Sequence, residues 1–338
     1  MIRICPLLKT PNLEEFEKVL NTGFNAVRFN FSHVDIEVAN QHANFLRANY
    51  PDFKIVQDLQ GHKVRVGHIN DVICINKNSH FLFVPEGFES ELDCPQIPIS
   101  FENYELLHET TKFVVENKNS TAIISVLKKI TECRKTIFLC MSNENIVFRK
   151  EKGINAIGFD RTKLQMSTKD KKDVLWGLEN KADIIVYSFT SSAAQINELK
   201  NYIKSKSSYM PQIWAKIESQ EGVANIEEII NVCDGIMIGR GDMCVEFPTK
   251  NIPHIQNKII SCCKNKNIDC IVATYIFDNY KNKNKPDISD ITSLYYFYLM
   301  GATGFMPVNE IIFANNPYKI SKNINDLLNH FEEELKNV

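Results

Sequence analysis

The sequence predicts an α/β protein, a (β/α)₈ TIM barrel with a small β-rich domain inserted into it. In the second half of the chain, unbroken apolar runs alternate with segments of helical periodicity, and the N-terminal stretch repeats this rhythm. Between Gly67 and about Arg161 the rhythm gives way to short alternating runs. Apolar runs that are each followed by a helix are typical of parallel strands buried on both faces, and eight such units close a barrel.

The barrel elements are predicted in chain order from these patterns. The first half gives strands at 2–5, 26–29 and 54–58, with helices at 12–21 and 36–48. The second half gives strands at 182–187, 212–217, 235–238, 269–273 and 304–308, with helices at 170–179, 191–206, 223–232, 251–266, 288–300 and 324–335. The last helix is expected to close the barrel.

The inserted domain is predicted from four short apolar runs, at 81–84, 122–124, 136–139 and 146–148. Their period-two alternation and the scarcity of long helical stripes favour β structure. We therefore expect a barrel domain of residues 1–67 and 162–338, with residues 68–161 as a β-rich lid.

Composition limits the class of partner. The 338 residues are 44% hydrophobic, which is enough for a sizeable core, and the formal net charge of −2 gives no argument for nucleic acid or a membrane surface. The ten cysteines are scattered without a CxxC pair, which favours a reducing compartment. The start lacks a signal-peptide core and no apolar run reaches membrane-spanning length, so we expect a cytoplasmic protein that acts on small molecules.

Charged residues follow two neighbouring strands at their carboxyl ends. Lys216 and Glu218 end one strand, and Gly239-Arg240-Gly241-Asp242 ends the next. Two carboxylates on adjacent strands suit Mg²⁺ or Mn²⁺, which prefer oxygen ligands and keep positions open for substrate. The backbone N–H groups of Gly241 and Asp242, at the start of a helix, suit a carboxylate or phosphate. The pattern therefore predicts a metal and anion site.

Further cations are expected at the same end of the barrel. Arg28, Arg65 and Lys216 would neutralise a transferring phosphoryl group, for which enzymes supply mainly positioning and charge stabilisation.

At these residues the chain resembles the pyruvate kinase family. The family's R-x-N-F-S-H segment is matched by Arg28 and Asn30 to His33, and its K-I-E-N-x-x-G segment by Lys216, Ile217, Glu218 and Gly222. Its D-G-I-M-V-A-R-G-D-L-G segment is matched by Asp234 to Met237 and Arg240 to Asp242, and its A-T-Q by Ala273-Thr274. Its D-T-K-G-P-E-I-R segment is matched only by Asp58, Gly61 and Arg65. The resemblance runs the length of the chain and is weakest across the insert.

The resemblance implies a role for each matched residue. Glu218 and Asp242 would hold Mg²⁺ or Mn²⁺, Lys216 would stabilise the moving charge, and Thr274 would help a water to deliver a proton to the enolate carbon. The remaining implied roles are phosphate and nucleotide (ADP/ATP) contacts by Arg28, Arg65, Lys152, Asn30 and His33, substrate contacts by Ser188, Arg240, Gly241 and Asp242, and a monovalent-cation site of Asn30, Ser32 and Asp58.

Two departures from the family pattern bear on the monovalent cation. The family's Thr after the strand-three Asp is Leu59, and its Glu four positions later is Lys63. This combination resembles the K⁺-independent branch, in which a lysine ammonium replaces the bound ion. We therefore expect no K⁺ requirement.

Other departures change the surroundings of the site. The family's T-R-A-E is Asp287-Ile288-Ser289-Asp290, its S-G-E-T is Val308 to Ile311, and Gln60 and Tyr275 replace a Lys and a Gln. The family's C-terminal regulatory domain is expected to be absent, which favours a monomer or homodimer over a tetramer.

Several of these charged residues also have a purely structural interpretation. Lys216 and Glu218 could form a surface ion pair, and Arg28 and Asp58 a structural pair in the barrel mouth. His33 could be a capping residue. Lys152 could be simply solvated, and Glu310 could be only a loop carboxylate.

The leading hypothesis is a pyruvate-kinase-type phosphotransferase that acts between phosphoenolpyruvate and ADP or a related acceptor. One alternative is a Mg²⁺-dependent lyase or aldolase that works on a pyruvate-like enolate. The other is a degenerate non-catalytic homologue, which the altered Ile288 and Val308–Ile311 regions favour and the retained Lys216 opposes.

Overall fold

The computed structural model describes residues 1–8, 12–116, 121–277, 279–280 and 285–336. They form two compact units, one of Met1–Gly61 and Thr168–Val338 and one of His62–Ser167. The predicted insert, residues 68–161, lies within the second unit.

The helices and strands follow in chain order. The first segment holds β1 (Ile2–Pro6), α1 (Leu13–Leu20), β2 (Ala26–Asn30), α2 (Ile36–Asn49) and β3 (Lys54–Asp58). The second unit, His62–Ser167, is called the insert from here on. It holds β4 (Val64–Val66), β5 (Ile73–Ile75), β6 (His80–Pro85), β7 (Gln96–Ser100), β8 (Lys112–Glu116), β9 (Thr121–Glu132), β10 (Lys135–Ser142), β11 (Ile146–Phe148) and β12 (Gly153–Ile157). The last segment holds α3 (Thr168–Glu179), β13 (Ile184–Tyr187), α4 (Ala193–Lys206), β14 (Gln212–Ile217), α5 (Gln220–Ala224), α6 (Ile226–Ile229), β15 (Gly235–Gly239), α7 (Arg240–Glu246), α8 (Ile252–Lys266), β16 (Asp269–Ala273), α9 (Ile288–Met300), β17 (Gly304–Met306), α10 (Asn309–Ile312) and α11 (Pro317–Lys336).

The first unit is a closed parallel barrel in the order β1-β2-β3-β13-β14-β15-β16-β17, which confirms the predicted fold class. Apolar side chains such as Val56, Val186, Trp214 and Met237 fill its interior. Because all eight strands are parallel, their carboxyl ends meet at one face of the barrel, where active sites of this architecture lie.

Several helices begin at side-chain caps. Asn12 and Asp35 each accept two backbone N–H groups at the starts of α1 and α2, and Asp287 accepts the N–H of Ser289 at 2.7 Å at the start of α9. Such side chains satisfy N–H groups that the helix itself leaves unpaired. Among the described residues, no helix is long and apolar enough to cross a membrane.

The second unit has its own core and its own closed sheet, in the order β10-β6-β7-β4-β12-β8-β9, with β5 and β11 forming a separate pair. Phenylalanines and isoleucines are the most frequent residues of the core, and the ring centroids of Phe83 and Phe113 lie 4.9 Å apart. The sequence predicted four of its strands and missed five, namely β4, β5, β7, β8 and β12.

Three predicted barrel elements differ in the structure. The strand predicted to reach Val308 ends at Met306, and α10 begins at Asn309. The helix predicted at 223–232 is two short helices that meet at Asn225, whose side chain donates to the Ser191 carbonyl at 2.8 Å. The final helix begins at Pro317 rather than residue 324, because proline suits a first helical turn.

Candidate active site at the carboxyl ends of the barrel strands

Asp58, the last residue of β3, is the centre of a buried charged cluster. Arg28 on β2 donates to its Oδ2 through Nε at 2.7 Å and Nη2 at 2.6 Å. Ser188 donates to Oδ1 at 2.9 Å, and the Lys216 Nζ lies 3.2 Å from Oδ2. Burial raises the pKa of Asp58, but the charges of Lys216 and Arg28 outweigh it and hold the pKa below its usual range. The carboxylate is therefore ionised.

Lys216, near the end of β14, joins Asp58 to Glu218. Its Nζ lies 3.2 Å from the Glu218 Oε1 and 3.3 Å from the Ser188 Oγ. Burial lowers the pKa of Lys216, and the two carboxylates more than offset it, so that the pKa is above its ordinary value. The surface ion pair considered for Lys216 and Glu218 is wrong, because Glu218 is only 2% exposed.

Glu218 is held from its other side by the backbone. Its Oε2 accepts the N–H of Phe189 at 3.0 Å. Burial raises the pKa of Glu218 to about 7, Lys216 opposes this, and the charge of Asp242 adds to it. Gly239 allows the close approach of the side chain, because a Cβ at that position would lie 2.5 Å from the Glu218 Cγ.

Asp242 lies in the first turn of α7, directly after β15, and is half-buried. The negative charge of Asp242 raises the pKa of Glu218, which means that the two carboxylates repel each other at this end of the barrel. A cation between them would remove that repulsion, and carboxylate oxygens are the ligands that Mg²⁺ and Mn²⁺ prefer. In the described part of the chain, no group of three or more His, Cys, Asp or Glu is arranged around a metal position.

Thr274 follows β16 in a left-handed backbone conformation, with φ of +64°, and Tyr275 follows with φ of +50°. Such conformations cost about 1–3 kcal/mol per non-glycine residue and persist where the surroundings fix them. The Thr274 Oγ1 is buried and has no hydrogen-bond partner among the described residues. A Cβ built on Gly241 would lie 3.8 Å from this oxygen, so the hydroxyl lies close to Gly241 in the first turn of α7.

Arg240, predicted to bind substrate, points its guanidinium at the protein. Its Nε donates to the Thr274 carbonyl at 3.0 Å, its Nη1 reaches the Gln256 Oε1 at 3.4 Å, and its guanidinium carbon lies 5.0 Å from the Phe297 ring centroid. Burial lowers the pKa of Arg240 to about 10, so the group remains charged at neutral pH.

Glu310 is a residue whose importance the sequence did not reveal. It is fully buried in α10, and its two oxygens accept the N–H groups of Ile276 at 3.2 Å and Val308 at 2.8 Å. The expectation of a loop carboxylate is therefore wrong. The alignment with the family's S-G-E-T segment was the one signal that could have singled it out.

A cavity of about 590 Å³ opens beside Arg28 at this end of the barrel. Asn30 and His33, two predicted nucleotide contacts, line it. The Asn30 Oδ1 accepts the N–H of Ser32 at 3.2 Å, which orients the side chain. Phe313, which the sequence analysis did not consider, also lines the cavity and is 65% exposed.

Three predicted site residues belong to the insert. The Lys63 Nζ donates to the Asn155 Oδ1 at 2.8 Å, and the Arg65 Nη1 donates to the Glu151 carbonyl at 2.9 Å. The Lys152 Nζ donates to the Val147 carbonyl at 2.9 Å, and burial lowers its pKa. Lys152 is thus hydrogen-bonded rather than simply solvated.

Comparison with known proteins places these residues in a family context. A family model described as "Pyruvate kinase, barrel domain" matches residues 3–319. The chain is 27% identical to pyruvate kinase 2 of Synechocystis over 96% of its own length and 55% of the relative, and 28% identical to pyruvate kinase of Clostridium perfringens over 96% and 67%. A Mycoplasma genitalium pyruvate kinase is 26% identical over 95% of this chain and 66% of the relative. The chain thus spans between about half and two thirds of the length of these relatives.

Proposed function

Because the chain belongs to the pyruvate kinase family through its barrel domain, we propose that it transfers a phosphoryl group between phosphoenolpyruvate and ADP or a related acceptor. The observation that carries the proposal is the buried cluster of Asp58, Lys216 and Glu218 beside Asp242. A fixed ammonium next to a pair of mutually repelling carboxylates can receive an anionic substrate together with a divalent cation.

Lys216 supplies the positive charge in this proposal. Its ammonium is held by Asp58 and Glu218 at 3.2 Å each, so it needs no reorientation when charge develops on a substrate. It would stabilise the negative charge that passes between the phosphoryl group and the enolate oxygen. Arg28, fixed on Asp58, would add a second cation toward the phosphoryl group.

Glu218 and Asp242 would hold Mg²⁺ or Mn²⁺, which when bound neutralises phosphoryl oxygens and polarises the substrate. Thr274 would orient the water that protonates the enolate carbon, since its hydroxyl has its hydrogen-bonding capacity left for a ligand. The Ser188 hydroxyl is committed to Asp58, so it would hold that carboxylate in place rather than react.

The nucleotide would enter the cavity that Asn30 and His33 line. Its apolar side, with Leu7, Val308 and Phe313 among the lining residues, suits a base, and Arg28 at its edge suits phosphate. For Arg65 and Lys152, which belong to the second unit, phosphate binding stays a proposal of the family resemblance.

A coupled lactate dehydrogenase assay with phosphoenolpyruvate, ADP and Mg²⁺ tests the proposal. We expect pyruvate formation in the native chain and a loss of about 10²–10³-fold in kcat for Lys216→Met, because an oriented charge is removed from the transition state. Lys200→Met is the matched control, since Lys200 pairs with Asp234 at 3.6 Å outside the cluster. A kcat in Lys216→Met as high as in the native chain would contradict the mechanism. Metal-dependent exchange of pyruvate methyl protons without ADP turnover would favour the enolate alternative.

Lys63 extends the proposal to the monovalent cation. Its ammonium is fixed on Asn155, and we expect it to replace bound K⁺, so that the rate is the same in sodium and potassium buffers. A manyfold rise in potassium would contradict this role.

A further inference from the structure

The turn that follows β16 has an unusual backbone. Thr274 and Tyr275 are consecutive residues with φ of +64° and +50°. A left-handed conformation is uncommon for any residue with a Cβ, and a genuine outlier for a β-branched one such as threonine. Two in succession persist only where the surrounding structure fixes the backbone.

Arg240 holds this turn at its first carbonyl. The guanidinium donates to the Thr274 carbonyl oxygen through both Nε, at 3.0 Å, and Nη2. Gln256 and the face of Phe297 hold the guanidinium in turn, at 3.4 Å and 5.0 Å. Stacking and hydrogen bonding together fix the orientation of an arginine more tightly than a lysine could be fixed.

Glu310 holds the same turn from the other side. Its carboxylate accepts the N–H of Ile276 at 3.2 Å and that of Val308 at 2.8 Å, and no part of the residue is exposed. It thereby ties the turn to the chain just beyond β17.

The side chain between these contacts is that of Thr274, which lies close to Gly241. The Thr274 backbone is fixed at its carbonyl by Arg240 and at its N–H by the Met306 carbonyl, at 3.1 Å. Its hydroxyl has no partner within the described residues and lies toward Gly241. The contacts thus fix the backbone and leave the hydroxyl for a ligand.

We propose that Arg240 and Glu310 are positioning residues, which clamp the strained turn Thr274–Ile276 so that the Thr274 hydroxyl meets the reacting enolate. Neither contacts the substrate in this role. The kinetic part of the proposal rests on the proposed function, because it needs Thr274 to act in proton delivery.

Kinetics of Arg240→Lys, Arg240→Met and Glu310→Gln test the role. A misplacement of about 1 Å can cost about 100-fold, so we expect kcat to fall by about 10- to 100-fold while the KM values for phosphoenolpyruvate and ADP stay nearly constant. Lysine, which keeps the charge, should retain more activity than methionine. Asp183→Asn is the control, since Asp183 accepts the Ile55 N–H at 2.7 Å before β13, at the other end of the barrel. Unchanged kcat in the Arg240 and Glu310 variants, or a loss confined to KM, would overturn the proposal.

A double-mutant cycle tests the clamp without any assay of activity. Glycine adopts positive φ without strain. Tyr275→Gly therefore removes part of the backbone strain that the Glu310 hydrogen bonds hold in the turn. We expect Glu310→Gln to lower the urea midpoint of unfolding clearly in the native background and by less in the Tyr275→Gly background. Equal shifts in the two backgrounds would overturn the clamp. If the native chain showed no turnover, the proposed function would be refuted. The double-mutant cycle would still test whether Glu310 holds the turn, because it measures stability only.

Discussion

At the scale of single residues, Asp58 shows why the site is rigid. It is a fully buried carboxylate that accepts contacts from Arg28, Lys216 and Ser188. Each cation alone would be costly to bury, and the shared carboxylate compensates both. The positive groups proposed to meet the phosphoryl group are therefore in place before substrate binds.

Removal of this carboxylate should destabilise the barrel. Asp58→Asn leaves Arg28 and Lys216 buried without a full counter-charge, so we expect a loss of about 3–5 kcal/mol in the free energy of unfolding. Urea denaturation followed by the fluorescence of the two tryptophans, Trp176 and Trp214, measures it. Asp326→Asn is the control, because Asp326 forms an exposed pair with Lys322 and should cost less than about 1 kcal/mol. Equal losses in the two variants would contradict this role for Asp58.

The sequence could indicate that Lys216, Glu218 and Asp242 meet, because residues at the ends of adjacent parallel strands share one face of a barrel. It could not indicate where Arg240 points or what Glu310 binds. Those outcomes depend on Phe297, Gln256 and Ile276, which come from other elements. Contacts of this kind leave no local pattern in a single sequence.

At the scale of secondary structure, most barrel elements were predictable and their ends were less so. Apolar runs and helical periodicity located the strands and helices, since both reflect burial against the barrel. The predicted end of β17 at Val308 was wrong, because the N–H of Val308 donates to Glu310 and α10 begins at Asn309. The sequence did not predict five strands of the insert, because they are short and interrupted by turns.

The start of α9 offers a prediction at this scale. The Asp287 side chain accepts the Ser289 N–H at 2.7 Å, and loss of such a cap typically costs about 1 kcal/mol. We expect Asp287→Ala to lower the free energy of unfolding by that amount without a change in kcat. Asp287→Ser, which can still cap, should lie close to the native value in the same urea titration. A serine variant as unstable as the alanine variant would show that the cap is not what Asp287 contributes.

At the scale of the whole molecule, the chain consists of two units that each have their own core. The sequence indicates two units by the change in rhythm after β3, because a parallel β/α barrel and a small β domain have different hydrophobic periods. It places the insert at residues 68–161, whereas the second unit is His62–Ser167. It could not predict that the insert closes into a barrel of its own, since strand pairing over long separations is not encoded locally.

The insert should lose stability in mild acid. Burial lowers the pKa of His62 to about 4, and the charge of Arg161 adds to this effect. In the unfolded chain the His62 imidazole takes up a proton near pH 6.5, whereas in the folded chain it stays neutral until about pH 4. The free energy of unfolding is therefore highest above pH 6.5 and falls as the pH decreases toward 4. The loss reaches about 3 kcal/mol at most.

Hydrogen exchange read by mass spectrometry can follow insert and barrel peptides separately at pH 7.5 and pH 5. We expect faster opening of the insert at pH 5, after correction for intrinsic exchange rates, and a smaller pH effect in His62→Gln. His80→Gln is the control, because His80 is exposed on β6 of the same unit. An undiminished pH effect in His62→Gln would rule out this histidine as its source.

Everything proposed for catalysis depends on Glu218 and Asp242 holding a divalent cation together. Anomalous scattering from crystals soaked in Mn²⁺ would locate that ion directly. We expect one strong peak between the two carboxylates, lost in Glu218→Gln. A pocket without that peak at saturating Mn²⁺, or a peak unaffected by the substitution, would contradict the proposed metal centre.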